Sequence, residues 1–165
     1  MTLTPGLRKL AVTTHITLAV GWLGAVAAFL ALAIAGVASQ DALTVRSVCI
    51  AMALVARHVI VPLSFAPLIT GPLLSLGTPW GLFRHYWILA KLLITVLSTL
   101  ILQIHMAPIN LLADAAARSA VFSADLHRAQ IQMVIASGAA LLALLVATLL
   151  AIYKPRGMTP YGQRS

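Results

Sequence analysis

The sequence predicts an all-α fold, a polytopic membrane four-helix bundle. Of its 165 residues, 61% are hydrophobic and only 8% are charged, whereas a soluble domain carries about 25% charged residues. The apolar residues form four segments, each long enough to cross a bilayer as a helix. We expect a single four-helix transmembrane domain over 1–165, with a basic cytoplasmic tail at 154–165. The helices are predicted at about 12–38, 46–76, 84–107 and 125–153.

Basic residues are distributed unequally between the two ends of these helices. Because cytoplasmic segments carry the excess of Lys and Arg, both termini are expected in the cytoplasm, with the chain in the inner membrane of a bacterium. The net charge of +8 then favours membrane lipid as a partner, and no nucleic acid is expected. The basic residues assigned to the cytoplasmic side are Arg8, Lys9, Arg84, Lys91, Lys154, Arg156 and Arg164, and those assigned to the outer side are Arg46, Arg57, Arg118 and Arg128.

The first helix combines a histidine with small residues. His15 lies at its cytoplasmic end and shares a face with Trp22 and Phe29, since the three recur at seven-residue spacing. Small residues within 21–28 form a stripe that lets another group approach closely. This stripe is typical of a helix-packing seam, and it also suits a flat cofactor beside His15.

The second helix contains Pro62, Pro67 and Pro72, which predict a kink. An arginine at the centre of a bilayer is costly, so Arg57 and the adjacent His58 are expected at the outer interface. The kink either opens a pocket in the bundle or only changes the packing.

The third helix has a histidine at each end. His85 and His105 are separated by about 30 Å at ~1.5 Å per residue, which is the thickness of the hydrocarbon layer. Aromatic residues within 80–87 are typical of an interfacial belt, and Lys91 is expected to reach back to lipid headgroups. We expect this helix to end before Pro108, with a short surface helix following it.

The fourth helix starts near His127. Ser123 or Asp125 is expected to cap it, and its remainder is rich in Leu and Ala. The tail over 154–165 is short and basic, and we expect it to be disordered.

The five histidines fall into two layers by depth. His15 and His85 form the inner layer, and His58, His105 and His127 form the outer one. Imidazoles at matched depth on different helices can hold haem b between two histidines. His58 with His105 is the preferred outer pair and His127 a competing ligand, while the inner pair would hold a second haem. Interfacial histidines without any ligand are the plain alternative.

Several other residues enter these hypotheses. Arg57 would pair with haem propionates, with Arg46 or Arg128 as alternatives. A copper site would use His58, His105, His127 and Met106, because imidazole and thioether suit cuprous copper. A third possibility is a cofactor-free accessory subunit of a membrane complex. Motifs of hydrolases and ATPases such as G-x-S-x-G and the Walker loop are absent from the sequence.

Three motifs carry a resemblance to known proteins: H-x6-W-L-G over 15–24, Thr70-Gly71, and GTPWGLFRHYW-x3-K-x13-H over 77–105. In these the chain resembles a bacterial integral membrane family of unknown function. It is more distantly similar to the copper-resistance D membrane domain and to haem-binding four-helix membrane proteins, including di-haem b-type cytochromes and the membrane protoporphyrinogen oxidase. The resemblance implies a redox or electron-transfer protein, with a membrane oxidoreductase as one form. A quinone or another redox partner, a homo-oligomer or a larger membrane complex would follow from it.

Overall fold

The computed structural model describes residues 4–77, 81–118 and 124–163, and in them it has the expected all-α bundle. Four continuous helices in these ranges are long and apolar enough to cross a membrane. The second of them consists of α2, a π-helical turn and α3. The elements are α1 (Pro5–Ala38), α2 (Ala42–Val55), the π turn (Ala56–Ile60), α3 (Val61–Leu76), α4 (Tyr86–Ala117), α5 (Ala124–Tyr153) and the short α6 (Pro160–Gln163). Trp80 and Ser123, which were expected in the aromatic belt and at a helix cap, lie outside the described residues.

The four long helices form a closed ring of neighbours. Both α1 and α4 pack against the second membrane helix and against α5. The best-packed part of the interior lies towards the end of the bundle that carries α2. Its most buried side chains include Trp22, Phe29, Cys49, Met52, Leu112 and Met133. The opposite half of the bundle contributes fewer fully buried apolar side chains, among them Trp87 and Ile88.

Short sequence signals define the start of α1 and the connection between α1 and α2. Pro5 occupies the first turn of α1, where its missing N–H is not needed. Asp41 caps α2: its carboxylate accepts hydrogen bonds from the Thr44 backbone N–H at 2.8 Å and from the Thr44 hydroxyl at 2.6 Å. The connection between α1 and α2 is therefore fixed by local hydrogen bonds at its α2 end.

The π turn explains how the second helix accommodates its prolines. It ends at Ile60, two residues before Pro62, which lacks a backbone N–H and excludes a normal α-helical bond at that point. The N–H of Val61 instead reaches five residues back to the Ala56 carbonyl. The predicted disturbance thus takes the form of a widened turn that contains Arg57 and His58.

The third membrane helix differs from its prediction. It was expected to end near His105, but α4 continues through Pro108 to Ala117. Ile109 and Leu112 lie beyond the proline and are 3% and 1% exposed. Burial of these side chains outweighs the backbone hydrogen bond that Pro108 removes, so His105 lies within the helix and not at its end.

The tail also differs from its prediction. Residues 154–163 are ordered against the connection between α3 and α4, although disorder was expected. The backbone N–H of Thr159 donates to the Arg84 carbonyl at 3.0 Å, and the N–H of Tyr86 donates to the Gly157 carbonyl at 3.4 Å. Backbone hydrogen bonding, which a composition-based expectation does not consider, holds this segment in place.

Gly162 shows how closely the tail approaches this connection. A Cβ at Gly162 would overlap the backbone carbonyl of Arg84. The absence of a side chain at this position therefore permits the contact.

The Asp41 cap predicts a dependence of stability on acidity. Hydrogen bonds from Thr44 hold the pKa of the Asp41 carboxyl below its ordinary value of 3.8. A carboxyl whose pKa is lower in the folded state stabilises the fold above its ordinary value, and this contribution is lost as the pH falls through the folded-state pKa. The Asp41→Ala variant should be less stable than the natural protein at pH 7, and the difference should shrink as the pH falls through the folded-state pKa of Asp41. Chemical unfolding of both proteins in detergent at several pH values measures this, and an equal difference at every pH would contradict it.

The tail contact predicts a change in protease sensitivity. The buried Thr159 hydroxyl donates to the Phe83 carbonyl and accepts from the Gly162 N–H. In Thr159→Val both groups lose their partner, which costs about 1–3 kcal/mol. Trypsin should then cleave after Arg156 at least about fivefold faster. Thr148→Val is the control, because the Thr148 hydroxyl bonds only within α5; equal cleavage rates in both variants would argue against the docked tail.

Candidate cofactor site

His15 is fixed by a hydrogen bond between two helices. Its Nδ1 lies 2.8 Å from the Thr70 hydroxyl, which itself donates to the Ala66 carbonyl at 2.8 Å. Since the hydroxyl proton is used by Ala66, the Nδ1 atom of His15 carries the hydrogen and donates it to Thr70. The Nε2 atom then bears the lone pair. A Cβ on Gly71 would lie 3.4 Å from the His15 ring, so the absence of a side chain at Gly71 leaves space for the imidazole against α3.

Positive charge surrounds His15 and Thr70, which together form the inner polar cluster. The ammonium of Lys91 lies 5.5 Å from the centre of the Trp87 ring, a cation–π contact. Lys91 lies close to His15, and Lys154 lies close to Lys91. The three acidic residues of the chain, Asp41, Asp114 and Asp125, all belong to segments at the opposite end of the bundle. The end of the bundle that carries His15 and Lys91 therefore favours anionic groups such as lipid phosphates.

His85, the second predicted inner ligand, has different surroundings. It precedes α4 and forms an isolated antiparallel bridge with Met158 of the tail. Its ring lies 6.3 Å from that of Trp87, at an interplanar angle of 52°. The structure thus joins His85 to the docked tail, whereas it joins His15 to α3.

His105 lines a groove of the bundle. Its Nδ1 lies 2.8 Å from the Ile101 carbonyl. A carbonyl only accepts hydrogen bonds, so Nδ1 carries the hydrogen and Nε2 has a free lone pair. The groove has a volume of about 520 Å³ and lies between α4 and α5, with Val26, Phe29 and Ile60 at its base.

The α5 wall of this groove is built from small side chains. It includes Ala136, Ala139, Ala140 and Ala143, which follow the spacing of one helix face. Ser137 also lines the wall, but its hydroxyl donates to the Met133 carbonyl at 2.6 Å. The space beside His105 is therefore wide and almost entirely apolar.

The small-residue stripe of α1 was interpreted either as a packing seam or as space for a flat cofactor. Gly21 faces Leu63 of α3 at ordinary contact distance, and nothing lies within 4 Å of a Cβ built on Gly24. Gly21 thus belongs to a packing seam, and the small residues that adjoin a histidine across an open groove are on α5. Their spacing is readable in the sequence, but the Ala content of the fourth helix by itself indicates only an apolar segment.

Arg57 and His58 lie on a different side of α4. They line a notch of about 260 Å³ between the second membrane helix and α4, together with Asn110 and Asp114. The guanidinium of Arg57 donates to the Asn110 side-chain oxygen at 3.0 Å. The structure thus brings His58 and His105 to separate cavities, although the sequence paired them as haem ligands.

The remaining predicted ligands also stand apart. His127 is exposed in the first turn of α5. Met106 packs against the hydrophobic core. Within 4–77, 81–118 and 124–163, no three side chains of His, Cys, Asp or Glu come together in a way that could hold a metal ion. The structure does not gather His58, His105 and His127 into the expected copper set, because helix rotation turns them to different surfaces.

Comparison with protein-family models, with curated proteins and with solved structures finds no match to this chain. The functional interpretation therefore depends on the residues of the two cavities and of the inner polar cluster.

The hydrogen bond between α1 and α3 predicts a specific loss of stability. In Thr70→Val the Nδ1–H of His15 loses its acceptor, whereas Thr70→Ser keeps a hydroxyl at the same place. Interhelical hydrogen bonds in membrane proteins contribute about 0.6 kcal/mol on average and up to about 1.7. Thr70→Val should be destabilised by an amount in this range, measured by unfolding in detergent. A Thr70→Ser protein as unstable as Thr70→Val would show that the hydrogen bond is not the cause.

Proposed function

We propose that the chain is a membrane protein that binds haem b in the α4–α5 groove, with His105 as an axial ligand, and that it has an electron-transfer or redox role. The observation that carries this proposal is the state of His105. Its Nδ1–H is fixed on the Ile101 carbonyl, and its ring borders an apolar groove.

The chemistry of this histidine suits a metal ligand. Histidines that bind metals donate their second ring N–H to a carbonyl or carboxylate, which fixes the tautomer and the orientation of the ring. The Ile101 carbonyl fulfils this role for His105. The chain thus supplies an imidazole whose Nε2 is already in the form that coordinates iron.

The size and composition of the groove support the same ligand class. Cofactor pockets are commonly about 300–1,000 Å³ and mostly apolar, and this one is about 520 Å³. The alanines of α5 leave room for a flat ring against the helix, and Phe29 gives the base of the groove an aromatic side chain. These residues would exclude water from the two faces of a bound macrocycle.

Polar residues occur at the end of the groove where a haem would meet the interface. Gln132 lines this end, and Arg128 lies one helical turn further along α5. Arg128 pairs with Asp125 at 3.7 Å, but both side chains are more than 80% exposed, so the pair is weak. Arg128 is therefore the arginine that suits haem propionates, in place of Arg57, which lines the separate notch and not this groove.

Met133 would be the second residue to hold the haem. It lines the groove, its side chain is 1% exposed, and it carries a thioether, which is an established haem ligand. When bound, haem supplies one-electron redox chemistry, and the axial ligands and the apolar surroundings set its potential. We propose a single haem, because His15 and His85 are held by separate partners at the other end of the bundle.

Absorption spectroscopy of the purified protein tests this function. The natural protein should show a Soret band and, after reduction with dithionite, sharp α and β bands, with about one haem per chain by pyridine haemochrome. His105→Ala should retain less than about one tenth of the haem, and His105→Gly should regain the spectrum when imidazole is added. His127→Ala is the matched control, since His127 is exposed and lies on neither cavity.

Three results would contradict the haem proposal. The first is a natural protein without a Soret band, and the second is full haem content in His105→Ala. The third is an equal loss in His105→Ala and His127→Ala. A colourless protein with stoichiometric copper would favour a copper-handling role, and a protein with neither group would favour an accessory subunit.

A further inference from the structure

The notch beside the π turn contains charges of both signs. Arg57 and His58 enter it from the second membrane helix, and Asn110 and Asp114 enter it from α4. Because the notch and the His105 groove lie on different sides of α4, the proposed haem does not account for these residues.

The guanidinium in this notch is already oriented. Arg57 donates one of its five N–H groups to the Asn110 oxygen at 3.0 Å, which leaves donors for an anion. The π turn places His58 next to it on the same cavity, and such turns are frequent at functional sites. A guanidinium held in one orientation matches a phosphate by paired hydrogen bonds.

The depth of Arg57 suits a lipid phosphate. The helix from Arg57 to Leu76 is about 29 Å long at ~1.5 Å per residue. When Leu76 lies at one face of a hydrocarbon layer of about 30 Å, Arg57 lies at the other. On the membrane side of Arg57 the surface becomes apolar, since Phe65 and Ile69 are 45% and 63% exposed.

A carboxylate follows on the other side of Arg57. Asp114 lies one turn beyond Asn110 along α4 and lines the same notch. Its partner Arg118 is 4.0 Å away, and both side chains are mostly exposed, so this pair competes weakly with another cation. The order from the membrane outward is therefore an apolar surface, a cationic donor and a carboxylate.

We propose that this notch binds the headgroup of a zwitterionic phospholipid of the phosphatidylethanolamine type. Arg57 and His58 bind the phosphate, Asp114 accepts from the ammonium, and an acyl chain lies along the exposed face of α3. The order of the three surfaces matches that of chain, phosphate and amine in the lipid. A lipid with phosphate but no amine satisfies Arg57 and His58 but offers nothing to Asp114.

Native mass spectrometry of the full chain, titrated with defined lipids in detergent, tests the site. The natural protein should bind phosphatidylethanolamine at least about fivefold more tightly than phosphatidylglycerol. Arg57→Gln should weaken phosphatidylethanolamine binding about tenfold. Asp114→Asn should remove the preference for phosphatidylethanolamine and leave phosphatidylglycerol binding unchanged. Arg46→Gln is the matched control, because this arginine belongs to α2 at the same end of the bundle but lies outside the notch.

Two more variants and a soluble competitor distinguish a lipid site in this notch from a general attraction to charge. Arg57→Lys keeps the charge without the planar donor pair, and it should weaken binding by about threefold. This variant tests the site if Arg57→Gln does not fold. His105→Ala should bind the lipid as the natural protein does, whether or not haem is present. Equal affinity of natural protein and Arg57→Gln, or of the two lipids for the natural protein, would overturn the proposal. Competition by soluble O-phosphoethanolamine at the concentration of the lipid would overturn a lipid ligand.

Discussion

Hydrocarbon offers no hydrogen-bond partner, and this constraint governs the polar side chains of the bundle. The Thr99 hydroxyl bonds to the Thr95 carbonyl within α4, and its oxygen also lies 3.3 Å from the Ser64 carbonyl of α3. His15 and His105 obey the same constraint, and as a result each has a defined tautomer. The pairing that satisfies one nitrogen of a half-buried imidazole leaves the lone pair on its second nitrogen. Trp22 is an exception among the described residues, since its buried Nε1 has no hydrogen-bond partner.

Apolar segments and charge were enough to predict the fold class and the four membrane helices, because length and composition determine what a bilayer accepts. They did not predict the course of α4 beyond Pro108. A proline signals a break locally, whereas the burial of Ile109 and Leu112 against other helices depends on the tertiary structure. The docked tail has the same origin, because Thr159 bonds to a backbone more than seventy residues away.

The candidate sites show a similar division between depth and rotation. The depth of a histidine can be read from its distance along a helix, and on this basis His58 and His105 belong to one layer. The rotation of a helix about its own axis decides which surface a side chain occupies. The π turn changes this rotation within the second membrane helix. In the structure His58 therefore lines the notch together with Asn110, and His105 lines the groove together with the alanines of α5. Of these two histidines, His105 is the one that borders the apolar groove in which we propose the haem.

The continuity of α4 has a mechanical consequence. His105 borders one cavity and Asn110 the other, and both belong to the same unbroken helix. Between them Pro108 removes one backbone hydrogen bond, which weakens the helix locally. One continuous helix thus carries a residue of each cavity, so any displacement of α4 at His105 would also displace Asn110 relative to the guanidinium of Arg57.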